Sequence, residues 1–326
     1  MRFDRRRALA AIGSTMLAAS APAVAQQSPK VAKVGWIVFS PRAEAGPRKA
    51  AKDGLREGLH ERGWIEGTNL TLDIRAGDRA DAERLARELA AGGVDVIFAD
   101  GAMVSGIRRA TKTVPVVFSM SGDPVEAQWV ASLSRPGGNL TGLSSYQLEL
   151  EAKRFEHLKA MRPGLARTAV LGNALHPGYR AQLDMARDAA RQLGMTVHTA
   201  PLKGGDDFNA AFASIAAEKA QALNVLSDGL TNQYAEAIAR FAASQRIASI
   251  SSWRSFVEAG NLASYGPDER EFNHRAAAYV DRILRGARPG DLPVEFPTRV
   301  GLTINRRTAE ALGYVPKELF ARGDVI

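Results

Sequence analysis

Short apolar runs alternate with amphipathic stretches along nearly the whole chain, and this order restricts the fold more than any other feature. "VAKVGWIVF" (31–39), "NLTLDI" (69–74), "VDVIFA" (94–99) and "VPVVFS" (114–119) read as strands from their Val and Ile content. Helical patterning covers Glu44 to Arg62, then Asp81 to Ala91, then a stretch from Met103. The second half repeats the plan. "TAVLGN" (168–173), "MTVHTA" (195–200), "ALNVLS" (222–227) and "IASISS" (247–252) are separated by helices over Pro177–Leu193, Asp206–Lys219 and Thr231–Ser244. Gly63 and Gly194 stand where helices stop in the left-handed conformation. Repeated strand-helix order of this kind predicts α/β architecture, with parallel sheets covered by helices.

Two strands end alike. "VIFADGA" (96–102) stops at Asp100-Gly101 and "NVLSDGL" (224–230) at Asp228-Gly229. Asp100 lies 37 residues after Gly63, and Asp228 lies 34 after Gly194, so the two ends occupy matched places in two similar lobes. Ligands of open parallel sheets bind beyond the carboxyl ends of the strands. Asp-Gly there starts a helix whose free N–H groups point at the crevice. The plainer reading is a turn with Asp as helix cap. The matched spacing favours a cleft lined from both lobes.

Composition narrows the function. The 326 residues suffice for about two domains. Net charge is +8, of which residues 1–25 supply +3 through four arginines and one aspartate, leaving +5. Those charges are interspersed, so the surface reads as solvated, and no nucleic-acid partner is expected. The amino terminus joins a basic cluster to an Ala-rich run ending "AVA" before Gln26, the pattern of a cleaved export signal over residues 1–25. Arg5-Arg6 also resembles a twin-arginine signal, so either export route stays open. An exported, unanchored chain implies the periplasm. There is no cysteine, which excludes disulfides, thiol catalysis and lipid attachment at an N-terminal cysteine. No phosphate loop, nucleophile elbow or zinc motif occurs, and the five histidines have no ligand spacing. The expectation is a binding protein with no catalytic residues, metal or cofactor.

The stretches "GLHERGWIEGTNLTLDIRAGD", "VPVVFSMSGDPVEAQWVASLSRPGGNLTGLS", "RSFVEAGNLASYGPD" and "DLPVEFPTRVGLTINRRTAEALG" carry a resemblance over the mature chain. It is similar to ABC-transporter substrate-binding proteins, the group that includes tryptophan- and tyrosine-binding-like periplasmic proteins. The resemblance implies a type I periplasmic-binding fold, two Rossmann-like lobes joined by three crossovers near Leu143–Tyr146, Ser264–Gly266 and Pro293–Val300. Residues 26–144 with a returning helix over about 267–292 would form the first lobe. Residues 145–264 with part of 293–326 would form the second. It further implies an inner-membrane ABC permease as partner, a monomer, and ligand capture by hinge closure. The chain departs from the family pattern at Gly172-Asn173-Ala174 and at Ala99-Asp100-Gly101-Ala102, both where a ligand would lie.

For an amino-acid-like ligand, possibly aromatic or branched, the cleft needs donors for a carboxylate. Ser40, Ser119, Ser121 and Gly122 at strand ends can supply them. An ammonium needs a carboxylate, with Asp228 the first choice and Asp100 the second. Asp123 reads as a structural cap. Phe39, Met120, Trp253 and Tyr265 offer apolar walls, and His176 follows a strand end within reach of the cleft. Trp36, Trp64 and Trp129 read as packing residues. Two other classes fit the same cleft: a sensory protein that presents its closed form to a membrane receptor, and an enzyme on a doubly wound fold.

Overall fold

Alternate residues of the first strand serve different cores. In β1 (Ala32–Phe39), Ile37 and Phe39 pack into one cluster, whereas Val34, Trp36 and Val38 pack into another on the opposite face. A strand buried on both faces needs helices on both, and the chain provides them. The structure is a computed structural model that describes residues 31–40, 49–145 and 148–326. The expected signal, the start of the first predicted helix and Tyr146 lie outside the described residues.

The first sheet has the order β2-β1-β3-β4-β5 and is parallel throughout. Its other strands are β2 (Leu70–Gly77), β3 (Val96–Asp100), β4 (Val116–Met120) and β5 (Leu140–Ser144). Helices α2 (Ala82–Ala91) and α3 (Gly101–Ala110) pack together on one face. The other face is covered by α1 (Lys49–Glu61), which lies against α10 (Glu269–Leu284), a helix from far along the chain. Glycine makes that approach possible: a Cβ on Gly54 would sit 2.2 Å from the Arg270 carbonyl oxygen, and one on Gly58 2.6 Å from that of His274.

The second sheet has the order β12-β11-β10-β9-β8-β6-β7. Its strands are β6 (Arg167–Asn173), β7 (Thr196–Leu202), β8 (Ala222–Val225), β9 (Ala248–Ser251), β10 (Ala263–Gly266), β11 (Gly301–Ile304) and β12 (Asp324–Val325). Among the described residues, only its β10–β11 pairing is antiparallel. The remaining helices are α4 (Glu149–Met161), α5 (Tyr179–Gln192), α6 (Phe208–Ala217), α7 (Gly229–Gln233), α8 (Ala235–Ser244), α9 (Arg254–Glu258) and α11 (Arg306–Leu312).

Among the described residues the chain passes between the sheets three times: from β5 to α4, from β10 to α10, and from α10 back to β11. The first and third passages run side by side, since Ser144 donates its N–H to Glu295 O at 3.0 Å and Glu295 donates to Gly142 O at 3.3 Å. The fold is therefore α/β, with two parallel-dominated sheets.

Two predicted helices differ. The helix expected over Thr231–Ser244 is α7 and α8, broken at Tyr234, whose ring stacks on Phe208 with centroids 4.3 Å apart. The helix expected from Asp206 begins as a 3-10 turn, Gly205–Asp207, before α6.

Candidate ligand-binding site

The carboxyl ends of β1, β3 and β4 face those of β6, β8 and β9 across a cavity of about 250 Å³. Phe39, Trp36 and Trp129 from the first lobe and Trp253 from the second give it aromatic walls, with Met120 beside them. Ser105, Ser119, Asn232 and Gln233 add neutral polar groups, and α10 contributes Glu269 and Asn273. The site thus combines apolar walls with a few polar groups, as small-molecule sites do.

The two Asp-Gly ends differ in what they do. Asp228 is 4% exposed and caps α7, accepting from Leu230 N–H at 2.7 Å. Asn173 Nδ2 lies 3.1 Å from both of its oxygens, and Arg79, from the loop after β2, donates to Oδ2 at 3.3 Å. Asp228, the first choice for a ligand ammonium, lines the cavity and accepts from these three donors. Asp100 does not cap α3; its Oδ2 accepts from Phe39 N–H of the neighbouring strand at 3.0 Å.

The glycines answer to close approach rather than to left-handed backbone. A Cβ on Gly101 would fall 2.6 Å from Met120 Cβ, and one on Gly229 would fall 2.5 Å from Phe39 Cδ1, across the cleft. The second contact joins the lobes, as does Gln233 Nε2 donating to Phe39 O at 3.2 Å. Arg79 adds a further bond to Leu175 O at 3.2 Å.

Ser121 and His176 make another bridge. Gly178 N–H donates to His176 Nδ1 at 3.1 Å, which places the ring proton on Nε2. Nε2–H then donates to Ser121 Oγ at 3.1 Å, and Ser121 Oγ–H donates to Ser227 O at 2.9 Å. Gln182 Nε2 donates to Ser121 O at 3.2 Å. Burial lowers the His176 pKa, opposed by the nearby Asp228 carboxylate and reinforced by Arg79.

Of the residues expected in the site, Phe39, Asp100, Gly101, Ser119, Met120, Ser121, His176, Asp228 and Trp253 line the cavity. Four do not. Ser40 is buried beside β2, where its N–H donates to Gly77 O. Gly122 lies behind His176, and Asn173 lies behind Asp228. Tyr265 faces the other side of β10, packing on His157 at 4.6 Å between centroids, because strand residues alternate between faces.

Asp123 accepts from Val125 and Glu126 N–H as a turn cap. Trp64 packs against α10, donating to Asp281 at 2.8 Å. Trp36 and Trp129, read from the sequence as packing residues, also form cavity wall. The sequence reading missed Arg79, Glu269 and Asn273. Only Arg79 had a signal, its place just beyond the end of β2.

Among the described residues, no group of three or more His, Asp or Glu is placed to hold a metal, and no helix is long and apolar enough to cross a membrane.

Comparison with known proteins agrees with this geometry. The family described as ABC transporter substrate binding protein matches residues 38–322. A tyrosine-binding protein from Clostridioides difficile (strain R20291) is 28% identical over 265 residues, 80% of this chain and 76% of that protein. The crystal structure of a conserved domain protein from Vibrio cholerae O1 biovar El Tor is similar with TM-score 0.82 and 29% identity, covering 91% of this chain and 99% of that one. An ABC domain in complex with L-Trp from Streptococcus pneumonia gives TM-score 0.81 at 24% identity, covering 90% and 99%.

Proposed function

Because this chain belongs to the ABC transporter substrate-binding protein family, we propose that it captures an aromatic amino acid in the periplasm and delivers it to an importer. The observation that carries this reading is the cavity between the lobes. At about 250 Å³ it is smaller than the ~300–1,000 Å³ of drug-sized sites, which suits a single amino acid. Phe39, Trp36, Trp129 and Trp253 offer a flat side chain large contact area at low conformational cost. The tyrosine-binding relative and the L-Trp complex support the same class.

For the ligand's ammonium the carboxylates of the wall are Asp100, Asp228 and Glu269; each already has a partner, so the ammonium would join or displace contacts that one of them makes. The carboxylate goes to the start of α3, where Gly101 and Ala102 line the cavity and Asp100 makes no cap bond. Ser105 and Ser119 stand beside it with hydroxyl donors.

Capture proceeds by closure of the lobes about the three passages, with ligand touching both walls only in the closed form. The bonds from Arg79, Ser121 and Gln233 across the cleft belong to that form. The closed monomer then docks on a membrane permease. Nothing in the cleft calls for a covalent step.

The test is thermal unfolding of residues 26–326 against each common amino acid at 1 mM. A ligand at about 1,000 times its dissociation constant stabilises by ~4 kcal/mol. A raised midpoint for aromatic amino acids alone supports the reading; no shift with any amino acid removes it.

A further inference from the structure

At the amino-terminal edge of the second sheet, opposite the ligand cavity, lies a second concavity of about 420 Å³. Four cations line it, namely Arg162, Arg167, Lys219 and Arg246, together with Gln221 and Tyr314. No Asp or Glu lines it, and among the described residues none of the four has a carboxylate partner. Other arginines of the molecule, among them Arg75, Arg84, Arg109, Arg254 and Arg270, do pair with carboxylates.

Part of the cluster has a structural cause. Helices α4, α6, α8 and α11 end at this edge, and cations favour helix carboxyl ends. Arg167 Nε donates to Lys219 O at 3.1 Å, Arg162 to Gln221 O at 2.8 Å, and Arg246 to Leu312 O at 3.0 Å. Each helix end carries roughly half a negative charge, so four ends offset about two of the four cations. About two positive charges remain. One guanidinium nitrogen of each arginine is used in these bonds, which fixes the group and leaves its other donors for a ligand.

The backbone gives an independent indication. Helices α1, α2, α5, α9 and α10 each end two residues on at a left-handed glycine: Gly63, Gly93, Gly194, Gly260 and Gly286. At the same position after α6 and α8 stand Lys219 (φ +50°) and Arg246 (φ +52°). Both are in a conformation that side chains disfavour, and both line this groove. Placing a charged side chain where glycine would be relaxed calls for a gain elsewhere.

We propose that this groove binds a phosphate-bearing anion, held by the four cations. Gln221 Oε1 accepts from the N–H groups of Ala166 and Arg167, which turns its amide NH₂ outward as a further donor. Arg162 is steadied over the Tyr314 ring at 4.6 Å. The same phosphate chemistry is offered by a soluble diphosphate and by an anionic lipid headgroup.

The probe is inorganic pyrophosphate, titrated calorimetrically into the purified protein. One equivalent binds, more weakly as salt rises. Lys219→Gly with Arg246→Gly weakens binding about tenfold or more, while the melting temperature holds or rises because glycine relaxes both turns. Lys219→Arg with Arg246→Lys keeps the charge and keeps binding. Absence of pyrophosphate binding, or unchanged binding in the double glycine variant, overturns the proposal. Co-sedimentation with phosphatidylglycerol vesicles, displaced by pyrophosphate, assigns the site to a lipid headgroup. Pyrophosphate binding without sedimentation assigns it to a soluble anion. Sedimentation without pyrophosphate binding reflects general surface charge and also overturns it.

Discussion

Gly229→Ala tests the proposed closure of the lobes separately from the fold. Gly229 is the first residue of α7, and its φ is not positive, so alanine suits its backbone. Alanine is the better helix former, and the substitution should leave the open protein as stable or raise stability by about 0.4–1 kcal/mol. The added Cβ, however, falls 2.5 Å from Phe39 Cδ1 and 3.2 Å from Cε1 in the opposite lobe. Ordinary carbon contacts lie at about 3.5–4.0 Å, so closure requires roughly 1 Å of retreat. Phe39 has little room for it, being 6% exposed within the first core. Overpacking of this kind costs about 1–3 kcal/mol, here charged only to the closed form. The dissociation constant for the ligand should therefore rise about 5- to 150-fold. Calorimetric titration with L-tyrosine and L-tryptophan, beside a melting curve without ligand, reads both effects. Wild-type affinity in Gly229→Ala would show that Phe39 and Gly229 do not meet when ligand is bound.

Arg79→Ala removes a bridge between the lobes. Arg79 is one-third exposed, so the loss is about 1 kcal/mol, roughly fivefold in ligand affinity, and a cycle with Asp228→Asn should show coupling between the two. His176 sets a pH dependence. Its pKa is lowered on folding, so the stability it contributes is complete above its ordinary value of 6.5 and is lost as pH falls toward the lowered value. Melting temperature should drop on acidification through that window, and His176→Gln, which keeps an N–H donor, should flatten the drop. Gly54→Val drives a side chain into the Arg270 carbonyl, parting α1 from α10; a loss of about 1–3 kcal/mol should appear in urea unfolding.

The order of β1–β4 and β6–β9 with the helices between them was legible because each β-branched run and each amphipathic run is a local signal. The matched Asp-Gly ends both line the cavity. What stayed hidden depends on distance in sequence. Arg79 sits in a polar loop and meets a carboxylate 149 residues away. Glu269 and Asn273 reach the cavity only because α10 returns to the first sheet. Tyr265 differs for another reason: the sequence reading puts it in a crossover, whereas it lies within β10, on the face that looks toward His157. Trp36 and Trp129 show the converse, because a residue can be core on one side and cavity wall on the other.

The same dipeptide thus serves two needs. At Asp228-Gly229 the carboxylate is held by its own lobe through Asn173 and Leu230 N–H and offered to Arg79 of the other, while the bare glycine lets Phe39 close over it. At Asp100-Gly101 the carboxylate ties β3 to β1, and the glycine lets α3 begin hard against Met120, with its first residues on the cavity wall. One end links the lobes and the other sets a helix start on the cavity wall. In the proposed closure, a ligand between them would add contacts at the α3 side to bonds the Asp228 side already makes, so the aromatic walls beside α3, rather than the Asp228 side, would distinguish among ligands.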